Sequence, residues 1–358
     1  MIKYLGSKRV LVPVLSQLAT GAGATSALDV FCGTTRVAQA FKRAGIPTGA
    51  LDLATYAYVL AQTYIATDAR TIDAAELADA VAALDALPGR PGYVTQTFCR
   101  DAHFFRPENG ERIDAIRDAI EDRYAGTALY PILLTALMEA ADRVDSTTGQ
   151  HMAYLKQWAP RALTPLKLRV PELIDGPGQA WCADAVEWVQ DMDPVDLAYL
   201  DPPYNQHRYF TNYHIWETLI RWDAPEAYGV ARKRVDARGD AHRSLFNSRA
   251  TCTDALARVI GGLDAQVFIV SYSSEAFVRS EDVVAMLAKR CECVRMLSYD
   301  YRRYIGAKIG VYGPDGQKRG VAGASRNREN VFVAGPTARI EKALEAALAL
   351  ERQPAEIS

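Results

Sequence analysis

The sequence predicts an α/β protein in which a doubly wound, mostly parallel sheet carries an inserted, mainly helical segment. Three observations predict this fold. Short apolar runs alternate with helical patterns at both ends of the chain, which is typical of parallel sheets with helices on both faces. Polar residues follow several of these runs, at the edge where open α/β sheets bind ligands. Between the two alternating parts, helical patterns replace the strand signals.

The first alternating part covers residues 1–70. Apolar runs predict strands at 26–31 and 49–53, and a helical pattern follows each of them, at 35–44 and at 56–66. Gly45 ends the first of these helices, as glycine commonly does after a helix.

The second alternating part covers residues 179–350, and we assign it with 1–70 to one discontinuous catalytic domain. Its predicted strands lie at 181–182, 196–200, 266–271, 293–298 and 330–333. Its predicted helices lie at 185–190, 275–290 and 336–350.

The insert, residues 71–178, differs from both parts. Pro107 begins one predicted helix, and a second is predicted at 131–144. Near the end of the insert, Pro160, Pro165 and Pro171 make a continuous helix unfavourable, because proline breaks helix interiors. We predict a separate helical lobe.

The composition excludes several classes of protein. The chain has 358 residues, 49% of them hydrophobic and 23% charged, so it can bury a large core. No apolar run approaches the roughly 18 residues of a membrane helix. We therefore expect a cytoplasmic protein that does not associate with a membrane. The six cysteines are scattered and lack the paired spacing of a zinc site, so we predict reduced thiols and no metal.

The most informative motif is LAYLDPPYN, residues 197–205. A buried strand would deliver Asp201 to the ligand-binding edge of the sheet, while Pro202 and Pro203 fix the backbone and remove two amide donors. Carboxylate and carbonyl oxygens then remain to accept both hydrogens of an amino group, beside the ring of Tyr204. The alternative is a plain turn. The motif resembles the [DNS]-P-P-[YFW] motif of amino-group methyltransferases, in which the Asp form is usual for adenine.

A second motif, LDVFCGTTRVAQAFKRAG at 28–45, places a tight glycine loop between a strand and a helix. Through Phe31 and Gly33 it resembles the FxGxG loop that binds S-adenosylmethionine, although Thr35 replaces the second glycine. Asp52 ends the next strand, where an acidic residue can accept from ribose hydroxyls. The alternatives are an ordinary turn and an exposed strand-end carboxylate.

Two further positions complete the resemblance. The N-terminal IKYLGSKR is similar to the (K)WxGGK box of one methyltransferase subclass, with Tyr4 as the aromatic residue and Lys8 as the lysine that could neutralise the cofactor carboxylate. Asp184 would accept from the adenine of the cofactor. Asp184 also suits the N-cap of the helix at 185–190, and both roles are compatible.

The order of these motifs resembles the α-group, Dam-like D12 class of adenine-specific DNA methyltransferases. The resemblance implies a class I, Rossmann-like fold, S-adenosylmethionine as cofactor, and methylation of adenine N6 in double-stranded DNA. The insert would be the target recognition domain. The segments IVSYSSEA (269–276), YRRYIGA (301–307) and RNRENVFV (326–333) look like downstream segments of the class.

The implied reaction is direct transfer to an adenine flipped out of the duplex, with Asp201 and the Pro202 carbonyl accepting from its amino group. Aromatic and basic residues after the motif, Arg208 and Tyr209 among them, suit a pocket wall near the DNA backbone; the alternative there is a core helix from Thr211. In the insert the candidate DNA contacts include Arg161, Lys167 and Arg169. The basic stretch 222–250 is a candidate DNA-contacting loop.

Other functions stay open on the sequence alone. The same fold could methylate cytosine N4, adenine in RNA or a protein glutamine, or could be a DNA-binding module that has lost its cofactor. A monomer is favoured because an inserted lobe reads DNA asymmetrically without a partner. Whether a cognate restriction endonuclease accompanies the enzyme is open.

Overall fold

The structure, a computed structural model, describes residues 2–6, 8–206, 208–239, 244–302 and 326–351. Its strands are β1 (Ala27–Asp29), β2 (Thr48–Asp52), β3 (Gly178–Cys182), β4 (Val195–Leu200), β5 (Ala227–Tyr228), β6 (Lys233–Arg234), β7 (Ala265–Ser273), β8 (Cys293–Arg302) and β9 (Arg326–Gly335). Seven of them form one sheet in the order β3-β2-β1-β4-β7-β9-β8, and β5 and β6 pair as a small antiparallel hairpin.

The sheet is mostly parallel, as the sequence predicts. Strands β3, β2, β1, β4 and β7 run parallel to one another. Strand β9 lies between β7 and β8 and is antiparallel to both. The order reverses direction beside β1 and β4, the point at which open α/β sheets form a ligand crevice.

The helices outside the insert come from both parts of the chain. They are α1 (Val12–Gly21), α2 (Arg36–Arg43), α3 (Thr55–Ala61), α7 (Ala185–Trp188), α8 (Tyr209–Asn212), α9 (His214–Arg221), α10 (Cys252–Gly262), α11 (Ser280–Ala288) and α12 (Thr337–Glu351). The insert contributes α4 (Ala74–Asp85), α5 (Pro107–Tyr124) and α6 (Leu129–Val144). None of the helices in the described ranges has the length and apolar composition required to span a bilayer.

Alternate residues of the central strands face opposite layers of helices. In β4, Leu197 and Tyr199 pack with α1, α2 and α12, whereas Ala198 and Leu200 pack with α7, α10 and α11. Successive side chains of a strand point to opposite faces, so a strand buried on both sides reads as a continuous apolar run. The doubly wound prediction is therefore confirmed.

The insert helices share a third apolar cluster with α3 and α9, which belong to the sheet domain. Buried side chains such as Leu133 and Leu137 of α6 are in the same cluster as Tyr56 and Trp216. The three-proline segment contains only a short 3-10 turn, Pro160–Leu163, as the prolines predict.

Some predicted bounds are corrected by the structure. The helix predicted at 275–290 begins only at Ser280, because the preceding residues turn away from β7. The helix predicted at 56–66 changes to a π-helix over Gln62–Ala66. The sequence interpretation also missed α1 and α10.

Candidate active site

The cleft of the protein lies at the carboxyl ends of four neighbouring strands. Phe31 follows β1, Asp52 ends β2, Asp184 follows β3 and Asp201 follows β4. All four line a cavity of about 990 Å³, a volume that includes its open mouth. Of the other predicted site residues, the cavity is also lined by Tyr4, Lys8, Pro202, Pro203, Tyr204 and Tyr209.

Contacts from later parts of the chain hold the segment after β4. The Phe277 amide donates to the Tyr204 carbonyl at 3.1 Å. The Asn247 side-chain amide donates to the Asn205 carbonyl at 2.8 Å, and Asn247 lines the cavity beside Ser244 and Phe246. The sequence interpretation had named none of these three residues.

Lys8 joins Asp201 to a second carboxylate. Its ammonium lies 2.8 Å from Asp201 Oδ1 and 2.9 Å from Glu329 Oε1. Ser271 Oγ donates to the same Glu329 oxygen at 3.1 Å. The Lys8 side chain is only 7% exposed and that of Asp201 is 20% exposed, so Lys8 here pairs with the chain's own carboxylates rather than standing alone to meet a cofactor.

These surroundings set the protonation of Asp201 and Lys8. Burial raises the pKa of Asp201 to about 6; Lys8 opposes this rise and Glu329 adds to it. Burial alone would lower the pKa of Lys8, but Asp201 and Glu329 raise it well above its ordinary value. At neutral pH Lys8 is therefore charged and Asp201 is mostly ionised, and the Glu329 carboxylate lies at ion-pair distance from the same ammonium.

The glycine loop after β1 adopts a left-handed backbone at two positions. Gly33 has φ 49° and Thr35 has φ 62°. Thr35 stands where the FxGxG pattern has its second glycine, so the threonine adopts the conformation that glycine would supply at lower cost. Its hydroxyl accepts a 2.8 Å hydrogen bond from the Gln39 side chain, which fixes it in the buried loop.

Asp52 holds this loop against the next strand end. Its Oδ2 accepts from the Gly33 amide at 2.8 Å and its Oδ1 accepts from the Ala54 amide at 3.0 Å. Burial raises the pKa of Asp52, and these amide hydrogen bonds oppose the rise. Asp184 accepts from the Val186 amide at 2.8 Å, so the N-cap interpretation of Asp184 is confirmed.

Aromatic side chains form the wall of the cleft. Tyr4 stacks on Tyr213 with a centroid distance of 4.7 Å and on Tyr209 at 5.4 Å. Phe31 meets Phe246 edge to face at 5.0 Å. Within α9 the side chain of Trp216 is buried, which confirms the core-helix interpretation of that segment.

The predicted DNA contacts differ in their surroundings. Lys167 and Arg169 are exposed, and Arg208 is half-buried just before α8. Arg161 instead pairs with the buried carboxylate of Asp145 at 2.7 Å, so its guanidinium already has a partner within the insert. Sequence alone could not distinguish these arginines, because residue type does not reveal an intramolecular partner.

Several predicted features fall partly outside the described residues. These are Ser7 in the N-terminal box, His207, positions 240–243 of the candidate loop 222–250, and most of YRRYIGA from 303 onward. Within the described ranges, no group of three or more His, Cys, Asp or Glu side chains is arranged to hold a metal ion.

A family model for D12 class N6 adenine-specific DNA methyltransferases matches residues 4–286. The chain belongs to this family. The enzyme is therefore a site-specific DNA adenine methyltransferase that uses S-adenosylmethionine, and DNA is its substrate.

Three known proteins are similar to the chain to different extents. The chain is 32% identical over 320 residues to the type II methyltransferase M.NlaIII of Neisseria lactamica, covering 85% of this chain and 92% of that protein. It is 28% identical over 304 residues to the modification methylase StsI of Streptococcus sanguinis, covering 80% of this chain but only 46% of that protein. A solved structure of magnesium protoporphyrin IX methyltransferase (ChlM) from Synechocystis PCC 6803 with bound SAM matches 92% of this chain and 79% of that chain, with 7% identity and a TM-score of 0.30.

Proposed function

We propose that the methyltransferase binds an adenine flipped out of duplex DNA at the segment from Asp201 to Tyr204. The observation that carries this proposal is the convergence of Phe31, Asp52, Asp184 and Asp201 on one cleft. The amino group would donate to the Asp201 carboxylate and the Pro202 carbonyl. The Tyr204 ring would stack on the base and offset part of the few kcal/mol that flipping costs.

The other half of the cleft fits S-adenosylmethionine. A Cβ added to Gly33 would lie 3.0 Å from the Tyr4 ring, so glycine lets the loop pack closely against Tyr4, which lines the cleft. We assign Tyr4, Phe31, Gly33, Asp52 and Asp184 to the cofactor. Asp52 can accept from ribose hydroxyls while it keeps its two amide hydrogen bonds, because each carboxylate oxygen accepts more than one.

The cofactor supplies an electrophilic methyl group on a sulfonium. On transfer, N6 would form a bond to the methyl carbon as the carbon–sulfur bond breaks, which would leave a thioether, and N6 would release one proton to water at the open mouth of the cleft. The amino nitrogen is a poor nucleophile because its lone pair is delocalised into the ring. Hydrogen bonds to Asp201 and to the Pro202 carbonyl orient it and favour the positive charge that develops on it.

The insert, residues 71–178, is proposed as the target recognition domain. Lys167 and Arg169 are its exposed cations among the sequence candidates. Tyr209 lines the cleft and Arg208 precedes it in the chain, so both are proposed to contact the DNA. Residues 222–250 are proposed as a DNA-contacting loop. Phosphate contacts of this kind position the duplex, and base contacts specify the sequence.

The test of the proposed adenine site is Asp201→Ala, assayed with labelled S-adenosylmethionine and unmethylated DNA. We expect transfer to fall about a thousandfold or more, while cofactor affinity measured by calorimetry changes little. Single-molecule sequencing of DNA treated with the wild-type enzyme should show methyladenine in one recurrent short motif. Transfer by Asp201→Ala at a wild-type rate would refute the assignment.

The biological setting is also proposed. Because the relatives are named type II methyltransferases and modification methylases, we propose a cognate restriction endonuclease as partner, and a monomer in the cytoplasm, where its DNA substrate lies. Light scattering of the purified protein tests the monomer. Resistance of DNA from an expressing host to an endonuclease that cuts the same motif only when it is unmethylated tests the pairing.

A further inference from the structure

Glu329 lies near the edge of the sheet at which the cleft forms, but it belongs neither to the DPPY motif nor to the glycine loop. It sits on β9 and is 6% exposed. Its carboxylate contacts Lys8 at 2.9 Å and accepts from Ser271. A carboxylate so buried requires a compensating cation, and here that cation is the lysine that also holds Asp201.

The net charge of the cluster formed by Lys8, Asp201 and Glu329 sets the electrostatic potential at the proposed position of the adenine amino group. Lys8 and Asp201 alone would form a neutral pair 2.8 Å apart. With Glu329 the cluster has one net negative charge. Positive charge moves onto N6 during transfer, and charges a few ångströms apart in a partly buried cleft interact far more strongly than in bulk water.

We propose that Glu329 is a positioning residue that holds Lys8 and balances its charge, so that Asp201 faces the adenine as part of a cluster with one net negative charge. This inference rests on the proposed role of Asp201. It adds to that role a residue from the far end of the chain, which acts through Lys8 and touches neither DNA nor cofactor.

Other ionisable groups around the cluster come from four elements. Tyr199 of β4 and Asp29 of β1 interact electrostatically with Asp201. Tyr299 of β8 and Ser273 of β7 lie opposite Glu329 in the sheet register. Tyrosine and serine are neutral near pH 7, and burial raises the pKa of Asp29 well above its ordinary value. Besides Asp201 at 2.8 Å, Glu329 at 2.9 Å is therefore the carboxylate among the described residues that pairs with Lys8.

The test compares Glu329→Gln with the wild type in single-turnover methylation between pH 5 and 9. Glutamine keeps the shape and can still accept from Ser271. We expect transfer to slow about 10- to 100-fold, with Kd for S-adenosylmethionine and for duplex DNA changed less than about threefold. Glu329 raises the pKa of Asp201, so removing its charge should move the acid limb of the variant to lower pH than that of the wild type.

Asp196→Asn is the matched control. Asp196 lies near the start of β4, and its carboxylate oxygens lie 2.6 and 2.8 Å from the guanidinium nitrogens of Arg339. The substitution removes this ion pair. This variant removes a carboxylate of β4, the strand that leads into Asp201, at the end away from the cleft. Its transfer rate and acid limb should match those of the wild type.

Two more variants separate charge balance from packing. Glu329→Asp keeps the charge and should restore part of the rate. The double variant Lys8→Met with Glu329→Gln again leaves one negative charge, and we expect it to be at least about threefold faster than Glu329→Gln alone. A packing role predicts instead that the double variant is slower than either single variant.

The outcomes are distinct. A Glu329→Gln enzyme within about twofold of the wild-type rate, or a slow one with an unmoved acid limb and a still slower double variant, would overturn the inference. If Asp201→Ala abolishes transfer in the same assay, the proposed adenine site stands even when the inference fails. If Asp201→Ala stays active, the proposed site itself fails.

Discussion

Lys3 and Lys8 lie on the same N-terminal segment, and each places its ammonium between two carboxylates. Lys3 is 35% exposed and contacts Asp142 and Asp145 at 3.1 Å each. Lys8 is 7% exposed and contacts Asp201 and Glu329. The same set of charged groups is thus used twice, once against the insert and once at the cleft.

The difference lies in what else the carboxylates can reach. Asp145 is also held by Arg161, so the Lys3 cluster is closed by protein groups and fastens the N-terminal segment to α6. Asp201 is 20% exposed and lines the cleft. One lysine therefore anchors the N-terminal segment, while the other pairs with a carboxylate that lines the cleft.

Replacing each lysine with methionine should separate the two clusters most clearly. Lys8→Met removes the cation that lowers the pKa of Asp201, so this pKa rises above about 6. Asp201 then stays protonated to higher pH, and the acid limb of transfer should move toward neutral pH. Breaking such a buried pair should also cost about 3–5 kcal/mol of stability.

Lys3→Met should lower the melting temperature and leave the acid limb in place, because its carboxylates lie outside the cleft. Both properties can be measured by calorimetry and by single-turnover assays across pH. An equal shift of the acid limb in the two variants would remove the distinction.

The variants Arg161→Ala and Arg169→Ala test whether Arg161 belongs to the Lys3 cluster or contacts DNA. Arg161 should behave as part of that cluster, so its loss costs about 1–2 kcal/mol of stability and leaves the salt dependence of DNA binding unchanged. Arg169 is exposed, and its loss should reduce the salt slope by about one unit without altering stability. Denaturant titration and DNA-binding isotherms at several salt concentrations provide both readouts; a reversed pattern would make Arg161 the DNA contact.

The smallest effect is expected outside both clusters, at Thr35. Thr35→Gly removes the strain of a threonine in the left-handed conformation, which should stabilise the folded state by about 1–2 kcal/mol. The variant also loses the hydrogen bond from Gln39, and glycine increases the entropy of the unfolded chain. Both of these effects are destabilising. The net change in unfolding free energy should stay within about 1 kcal/mol, with cofactor affinity retained. A large loss of cofactor affinity on calorimetry would show that the hydroxyl itself matters.

The cleft could be predicted because its residues follow apolar strands. A strand such as 196–200 has a readable pattern, and Asp201 stands where that pattern ends. Helix α1 was missed although Pro13 lies in its first turn and Leu15 and Leu18 are buried, a helix-start signal that was available. The antiparallel direction of β9 could not be read, because apolar periodicity carries no direction.

Glu329 and Arg161 were out of reach for a different reason. Each is defined by a partner distant in sequence, and a charged residue type does not reveal whether its partner is protein, DNA or water. The sequence signal for Glu329 is a carboxylate two residues before the apolar run Val331–Val333. That signal is weak, and it lies within the segment RNRENVFV, which is not specific on its own. Long-range pairing has to be seen in the fold.

Strand β9 fills the position between β7 and β8, although it is made after both. During synthesis, β8 therefore has no neighbour in the sheet until β9 is made. Until then, Lys8 and Asp201 also lack Glu329 as a partner. A nascent chain can form the glycine loop and the DPPY turn early, yet the Glu329 counter-charge arrives only with β9. The enzyme should thus acquire its full rate only after β9 has been made.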